Sequence, residues 1–258
     1  MKLPLHQIDA FADAPFTGNP AAVCPLEKWL PEATMQAIAE ENNLAETAFY
    51  VGRDGDYELR WFTPVREVDL CGHATLAAAH VVFENGFSGE RGTFASKSGP
   101  LHVTRTGEWL TLDFPAQPGT RCELPVGMAA ALGATPRECY RAMDYLAVFE
   151  SEAQIIALKP DFQALTKLDL RGVIVTAPGT TCDFVSRFFA PNYGVNEDPV
   201  TGSAHCTLTP YWAARLVKNP LEAKQLSMRT GTLRCQLQND RVLISGRTIA
   251  YLRGMIEV

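Results

Sequence analysis

Polar and apolar residues alternate in short runs along much of this chain, a period of two that predicts strands. In the first half the runs are Thr47–Val51, Glu58–Phe62, Leu101–Thr104 and Trp109–Asp113, and in the second Gly172–Thr176, Phe184–Phe189 and Gln225–Gln238. Turns such as Arg53-Asp-Gly55 and Arg105-Thr-Gly107 separate them. A helical period shows in three places. Residues 31–42 open with Pro31 at the first helical position and bring Met35, Ile38 and Ala39 to one face. His73–Phe83 is apolar on almost every face, with Ala predominating, and a helix of that kind must be buried. Ser203–Ala213 is a less apolar helix that carries Pro210. A short buried helix in a strand-rich setting predicts an α+β fold in which a mixed, barrel-like sheet curls around a central helix.

The pattern is written twice. EVDLCGHATL (67–76) and EDPVTGSAHC (197–206) both carry Glu, four residues, Gly, one polar residue and Ala. Upstream, RWFTP (60–64) matches RFFAP (187–191), and PEATMQAIAEENNLAETAFYV (31–51) parallels PDFQALTKLDLRGVIVTA (160–177). Three matches in order at offsets of 127 to 130 indicate an internal duplication and two similar domains, not a solenoid. The expected copies are residues 1–117 and 118–258, divided at FPAQPGT (114–120), whose prolines and glycine suit a linker.

Composition narrows the function. Hydrophobic residues make up 47% and charged residues 20% of the 258, enough apolar material for a substantial core. The net charge of −6 comes without any basic stripe, which argues against nucleic acid as a partner. No apolar stretch is long enough to span a bilayer and the start lacks a long apolar leader core, so a cytoplasmic protein with no membrane partner is expected. Seven cysteines stand singly with no CxxC, and five histidines form no HExxH. Neither a disulfide framework nor a metal site is expected from that spacing.

Candidate chemistry gathers at the two glycines. The first N–H groups of a helix lack internal partners and carry the positive end of its dipole, so Gly72-His73 and Gly202-Ser203 are two anion-attracting helix starts. If both face one cleft they can hold a carboxylate; alternatively each glycine merely ends a strand and caps a helix. The reactive letters differ between copies. Cys71 stands against Thr201, His73 against Ser203, Val68 against Asp198, and Glu46 against Gly172. Glu46 follows a helix among Leu44, Ala45, Ala48 and Phe49, a setting that suits a proton-moving carboxylate, although a solvent-facing strand start reads the same way.

NPAAV, NLAETAF, LCGHAT and EDPVTGSA, in this order and spacing over nearly the whole chain, resemble the PhzF-like family of phenazine-biosynthesis isomerases, which share the diaminopimelate epimerase fold. The resemblance implies an active site between two similar domains, no cofactor, and a homodimer. It places the catalytic carboxylate on Glu46, with His73 and Asp198 beside it. Gly72, Gly202 and Ser203 would bind a small-molecule carboxylate substrate. The prototype reaction isomerises trans-2,3-dihydro-3-hydroxyanthranilate by moving one proton, which needs only one base. Epimerases of this fold use a thiol on each face, and Thr201 is no substitute for a second Cys. A 3-hydroxy amino acid dehydratase using Cys71 and a non-catalytic carboxylate binder complete the alternatives. Arg229 and Arg234 depart from the family's glycine–arginine turn, and the stretch between Gly119 and Asp144 is short for the family. His80, His205 and Cys206 read as packing residues.

Overall fold

One sequence of strand pairings, parallel then antiparallel and the same again, occurs twice in the computed structural model, which describes all 258 residues. By its contacts the chain divides into Met1–Asp113 with Ser245–Val258, and Phe114–Ile244.

In the first unit the elements run β1 (Lys2–Ala10), β2 (Asn19–Pro25), α1 (Glu32–Asn42), β3 (Glu46–Arg53), β4 (Asp56–Phe62) and β5 (Glu67–Val68). They continue with α2 (Gly72–Glu84), β6 (Arg91–Ser96), β7 (Gly99–Thr106) and β8 (Trp109–Pro115). Strand β2 is parallel to β3, β3 antiparallel to β4, β4 parallel to β6, and β6 antiparallel to β7. Helix α2 packs on β1, β2 and β3 and is buried on all sides, from His73 to Phe83 with only His80 partly exposed. Alanines at 74, 77, 78 and 79 let the sheet curl closely round it.

In the second unit come β9 (Thr120–Arg121), α3 (Met128–Leu132), β10 (Glu138–Arg141), β11 (Tyr145–Val148), α4 (Glu152–Ala157) and α5 (Phe162–Leu165). They are followed by β12 (Val173–Pro178), β13 (Phe184–Phe189), α6 (Gly202–Leu216), β14 (Leu221–Gln225), β15 (Gly231–Gln238) and β16 (Arg241–Gly246), after which β17 (Thr248–Glu257) returns the chain to the first unit. The pairings β11–β12, β12–β13, β13–β14 and β14–β15 repeat the first unit's order of directions. Helix α6 occupies the place of α2, its core held by Trp212, which stacks on Phe184 at 5.7 Å and donates from Nε1 to Thr176 Oγ1. The α+β architecture and its repetition are thus as the residue pattern implies.

Several details differ from the pattern. Pro31 is the residue before α1, not its first, with extended ψ of 139°. The run 225–238 is two strands, β14 ending and β15 beginning on either side of a bend at 226–230 where Thr230 has φ of 55°. Helix α6 runs three residues beyond Ala213. Phe114 and Pro115 of the linker continue β8. A duplication boundary and a packing boundary are also different things. Strand β17 belongs to residues 118–258 by sequence but pairs antiparallel with β1, Leu5 opposite Gly254, and so groups with the first unit. The singly spaced cysteines are all free, yet folding brings Cys122 Sγ within 3.6 Å of Cys139 Sγ.

The repeated letters have a structural explanation. Arg60, on β4, donates through Nε and Nη2 to both carboxylate oxygens of Glu67 at 2.7 and 2.8 Å. Arg187, on β13, does the same to Glu197 at 2.7 and 2.9 Å. Each arginine also lies over the aromatic ring two residues on, Phe62 and Phe189 respectively. These forks tie the strand to the segment that leads into the central helix, which is why RWF and RFF recur together with Glu.

Candidate active site

Helix α2 begins uncapped. Its preceding residue, Cys71, makes no side-chain cap, and Gly72 is the first helical residue. Glu46 opens β3 and pairs with Ala21 of the parallel β2, which brings Asn19, the first residue of β2, to the same end of the sheet. The turn before it requires Gly18: its φ is +71°, and a Cβ there would sit 2.3 Å from the Ala10 carbonyl oxygen.

Three side chains meet at this point. His73 Nε2 lies 3.1 Å from Glu46 Oε2. The imidazole is 6% exposed and the Glu46 side chain 18%, so Glu46 is not a solvent-facing strand start. Neither atom completes a hydrogen bond. Unsatisfied polar atoms in such a place ask for a ligand or a proton in transit. On the other side of the ring, the Asn19 amide nitrogen lies 3.2 Å and Cys71 Sγ 3.5 Å from Nδ1. An amide NH2 only donates, so Nδ1 accepts. That network assigns the hydrogen of the neutral ring to Nε2, facing Glu46.

The electrostatics follow. Burial pushes the Cys71 thiol up to about 11, with the Glu46 charge adding to it, so sulfur is protonated at neutral pH. Burial opposes charge on His73, but the adjacent Cys71 sulfur and Glu46 carboxyl outweigh it and hold the imidazole well above its usual value. Glu46, Cys71 and His73 each bring a ligand atom within 4.8 Å of the others. Yet the ring meets its two neighbours through opposite nitrogens.

In the second unit α6 also begins uncapped, at Gly202. Thr201 is a residue type that ordinarily caps, but its hydroxyl donates to Asp198 Oδ2 at 2.5 Å. Gln225, fully buried, fixes this corner. Its Oε1 accepts from the Thr201 N–H at 2.9 Å, while its Nε2 reaches the Asp198 carbonyl at 2.8 Å and Thr201 Oγ1 at 3.1 Å. Ser203 Oγ receives a hydrogen bond of 3.0 Å from Arg171 Nη2. Arg171 in turn forks onto the buried Asp144 at 2.9 and 2.5 Å.

Glu46, Gly72 and His73 therefore come together in the first unit, and Asp198, Gly202 and Ser203 stand at the start of α6 in the second. His205 and Cys206 are buried as packing residues. His80 differs from its expectation: Nδ1 lies 2.8 Å from Thr248 Oγ1 and Nε2 3.3 Å from Glu84. Arg234 pairs with Glu222 across β14–β15 at 3.6 Å, half-exposed. Sequence reasoning missed Asn19, Asp144, Arg171 and Gln225. Asn19 was within reach, since it opens NPAAV, and Arg171 sits one position before Gly172, the residue set against Glu46.

Among solved structures the fold is that of epimerases and their kin. A hydroxyproline epimerase from Agrobacterium vitis superposes with a TM-score of 0.62 at 11% identity, over 99% of this chain and 92% of that one. That likeness shows architecture alone. The chain belongs to the PhzC-PhzF family of phenazine biosynthesis-like proteins, whose model matches residues 8–254. A PhzF-family protein of Enterococcus faecalis shares 50% identity and a TM-score of 0.98 over the full length of both chains. A Pseudomonas aeruginosa protein named as an isomerase is 54% identical, also over the full length of both. The protein is an isomerase of this family.

Proposed function

We propose that the protein moves a proton within a small amino or hydroxy carboxylic acid, without a cofactor, using Glu46 as acid and base. The carboxylate removes a proton from one carbon of a conjugated substrate and returns it to another on the same face, as in the isomerisation of trans-2,3-dihydro-3-hydroxyanthranilate. His73, through Nε2, orients Glu46 and shares its proton. In the first unit the N–H of Gly72 binds the substrate carboxylate; in the second, the Gly202 N–H and Ser203 offer donors of the same kind with Asp198 beside them. The observation that carries this reading is the 3.1 Å approach of two buried, unsatisfied atoms, Glu46 Oε2 and His73 Nε2, at an uncapped helix start. A second copy of the chain and a cytoplasmic setting belong to the same proposal. Exposed Tyr251, Leu252 and Met255 on β17 offer an apolar surface for that copy, and sedimentation tests it.

Cyclic and acyclic amino acids incubated with the enzyme in heavy water, followed by NMR, test the chemistry. A substrate loses a C–H signal with the wild type, and Glu46→Gln slows that loss by roughly 10²–10⁴-fold. Undiminished exchange in the variant removes Glu46 from the role.

One observation favours a second reading. Cys71 touches His73 Nδ1, and a thiol at this position is what epimerisation or dehydration would use. Against it, burial keeps the thiol protonated, and the Thr201 hydroxyl is committed to Asp198. Cys71→Ser decides: exchange survives if Glu46 is the base and disappears if sulfur is.

A further inference from the structure

Folding brings two thiols into contact near the start of the second unit. Strand β9 lies antiparallel to β10, with Thr120 opposite Arg141 and Arg121 opposite Tyr140. One step further, the Cys122 N–H donates to the Cys139 carbonyl at 2.9 Å, so the ladder sets these two residues opposite each other. Opposed residues of an antiparallel pair have Cα atoms about 4.5–5.5 Å apart, inside the span that a disulfide bridges. The Cys122 thiol donates toward Cys139 Sγ, 3.6 Å away. No other two of the seven free cysteines have their sulfurs in contact. The pair is also asymmetric. Cys139 is 4% exposed in the core of the second unit, and burial, with the Cys122 contact adding to it, pushes its thiol up to about 12. Cys122 is only partly buried, and Arg141, two residues beyond Cys139 on β10, brings a positive charge toward it. An accessible thiol touching a shielded one is the arrangement that thiol–disulfide exchange requires. Neither sulfur has a part in the proposed proton transfer.

We infer that Cys122 and Cys139 are a reversible oxidation site, which small disulfides such as glutathione disulfide convert to a protein disulfide. The Cys122 thiolate attacks one sulfur of the oxidant, forming a mixed disulfide and releasing a thiolate that takes up the proton Cys122 gave up. Cys139 then loses its proton and attacks Cys122 Sγ, expelling the second small thiolate, which is protonated in turn. Two protein thiols are oxidised by two electrons, and one small disulfide is reduced to two thiols. The new bond closes the segment 123–138, which contains α3, and fastens it to β10. The stability of the second unit thereby depends on its redox state.

Incubating the folded protein with glutathione disulfide, blocking the remaining thiols and digesting with trypsin without reductant tests the inference. Cleavage after Arg121, Arg137 and Arg141 separates the two cysteines. In mass spectra, peptides 122–137 and 138–141 appear joined, two hydrogens lighter than their sum, and dithiothreitol parts them. Cys139→Ala stops at a single glutathione adduct on Cys122, and Cys122→Ser forms no bridge. The oxidised wild type melts roughly 3–10 °C above the reduced form, a shift that Cys122→Ser lacks. In glutathione buffers the bridge survives in the folded protein at ratios about tenfold or more reducing than in urea, because the fold holds the thiols in contact. Adducts without a bridge in the wild type, a bridge to another cysteine, an unshifted melting temperature, or a bridge no harder to reduce when folded than in urea would each overturn the inference.

Discussion

Two buried histidines, one near the start of each central helix, respond to folding in opposite ways. His73, the second residue of α2, is held above its usual pKa, whereas His205, the fourth residue of α6, is pushed down to about 4. Burial alone penalises the charge on both. The difference lies in the neighbours. His205 has only the Thr201 carbonyl, to which Nδ1–H donates at 2.8 Å, and the ring of Phe184. His73 faces a carboxylate on one nitrogen and a thiol on the other. The lesson is that a duplicated scaffold keeps its frame, the Arg60–Glu67 and Arg187–Glu197 forks and the uncapped helix starts, while one or two side chains decide whether the buried imidazole beside each helix start is helped or hindered in holding a proton.

The two helices also differ in how they fill their units, and the largest expected effect tests that. Helix α6 relies on one large anchor, so Trp212→Ala removes the stack on Phe184 and the bond to Thr176 and costs roughly 3–5 kcal/mol. Helix α2 relies on small residues, and fails in the other direction: Ala78→Leu overpacks and costs about 1–3 kcal/mol. Urea unfolding checks both, and a Trp212→Ala loss below that of Ala78→Leu would contradict the account.

Next in size is the pH dependence. A base whose folded pKa is depressed binds its proton more readily when unfolded. His205 thus supports folding fully above about 6.5, and that support is lost as pH falls toward 4, about 3 kcal/mol in all. The His205→Gln variant lacks this part of the acid slope, and an unchanged slope would refute the assignment. His73 has the opposite sign. With its folded pKa raised, its contribution is complete below 6.5 and fades as pH climbs through the raised value.

The histidines separate again in activity. His73→Asn slows isotopic exchange by about 10²-fold, which is the lower end of general acid–base contributions. His205→Asn stays within about threefold, because that ring reaches only backbone and core. Equal losses would erase the distinction between the copies.

Much of this was legible in the residues. The duplication, the two glycine helix starts and the difference between Glu46 and Gly172 all lie in local patterns and in their repetition. What escaped depends on pairing across long stretches of chain. Nothing in Thr248–Glu257 announces that it will lie against β1. Lys2–Ala10 and Asn19–Pro25 were not read as strands, because β2 is buried along most of its length and shows no alternation. Nothing in the residues around Arg171 marks it out. Its meaning appears only when Asp144, 27 positions away, and Ser203, 32 positions away, close around it.

The smallest expected effect sharpens the comparison of the two forks. Arg60 and Arg187 bind their glutamates alike, but Arg187 Nη1 also donates to the carbonyls of Ile155 and Leu158 at 3.1 and 3.0 Å, closing the C-terminal end of α4. Glu67, for its part, has a second cation in Lys97 at 2.5 Å. A lysine keeps the charge and loses the fork. Arg60→Lys should therefore cost under about 1 kcal/mol, since Lys97 still neutralises Glu67. Arg187→Lys should cost about 2 kcal/mol, because two backbone acceptors and one side of a carboxylate lose their donors together. Chemical denaturation of the two variants measures the difference. If Arg60→Lys proves the costlier, the forks are not equivalent supports with one extra duty on the second copy, and the repeated Arg–Glu letters must be explained some other way.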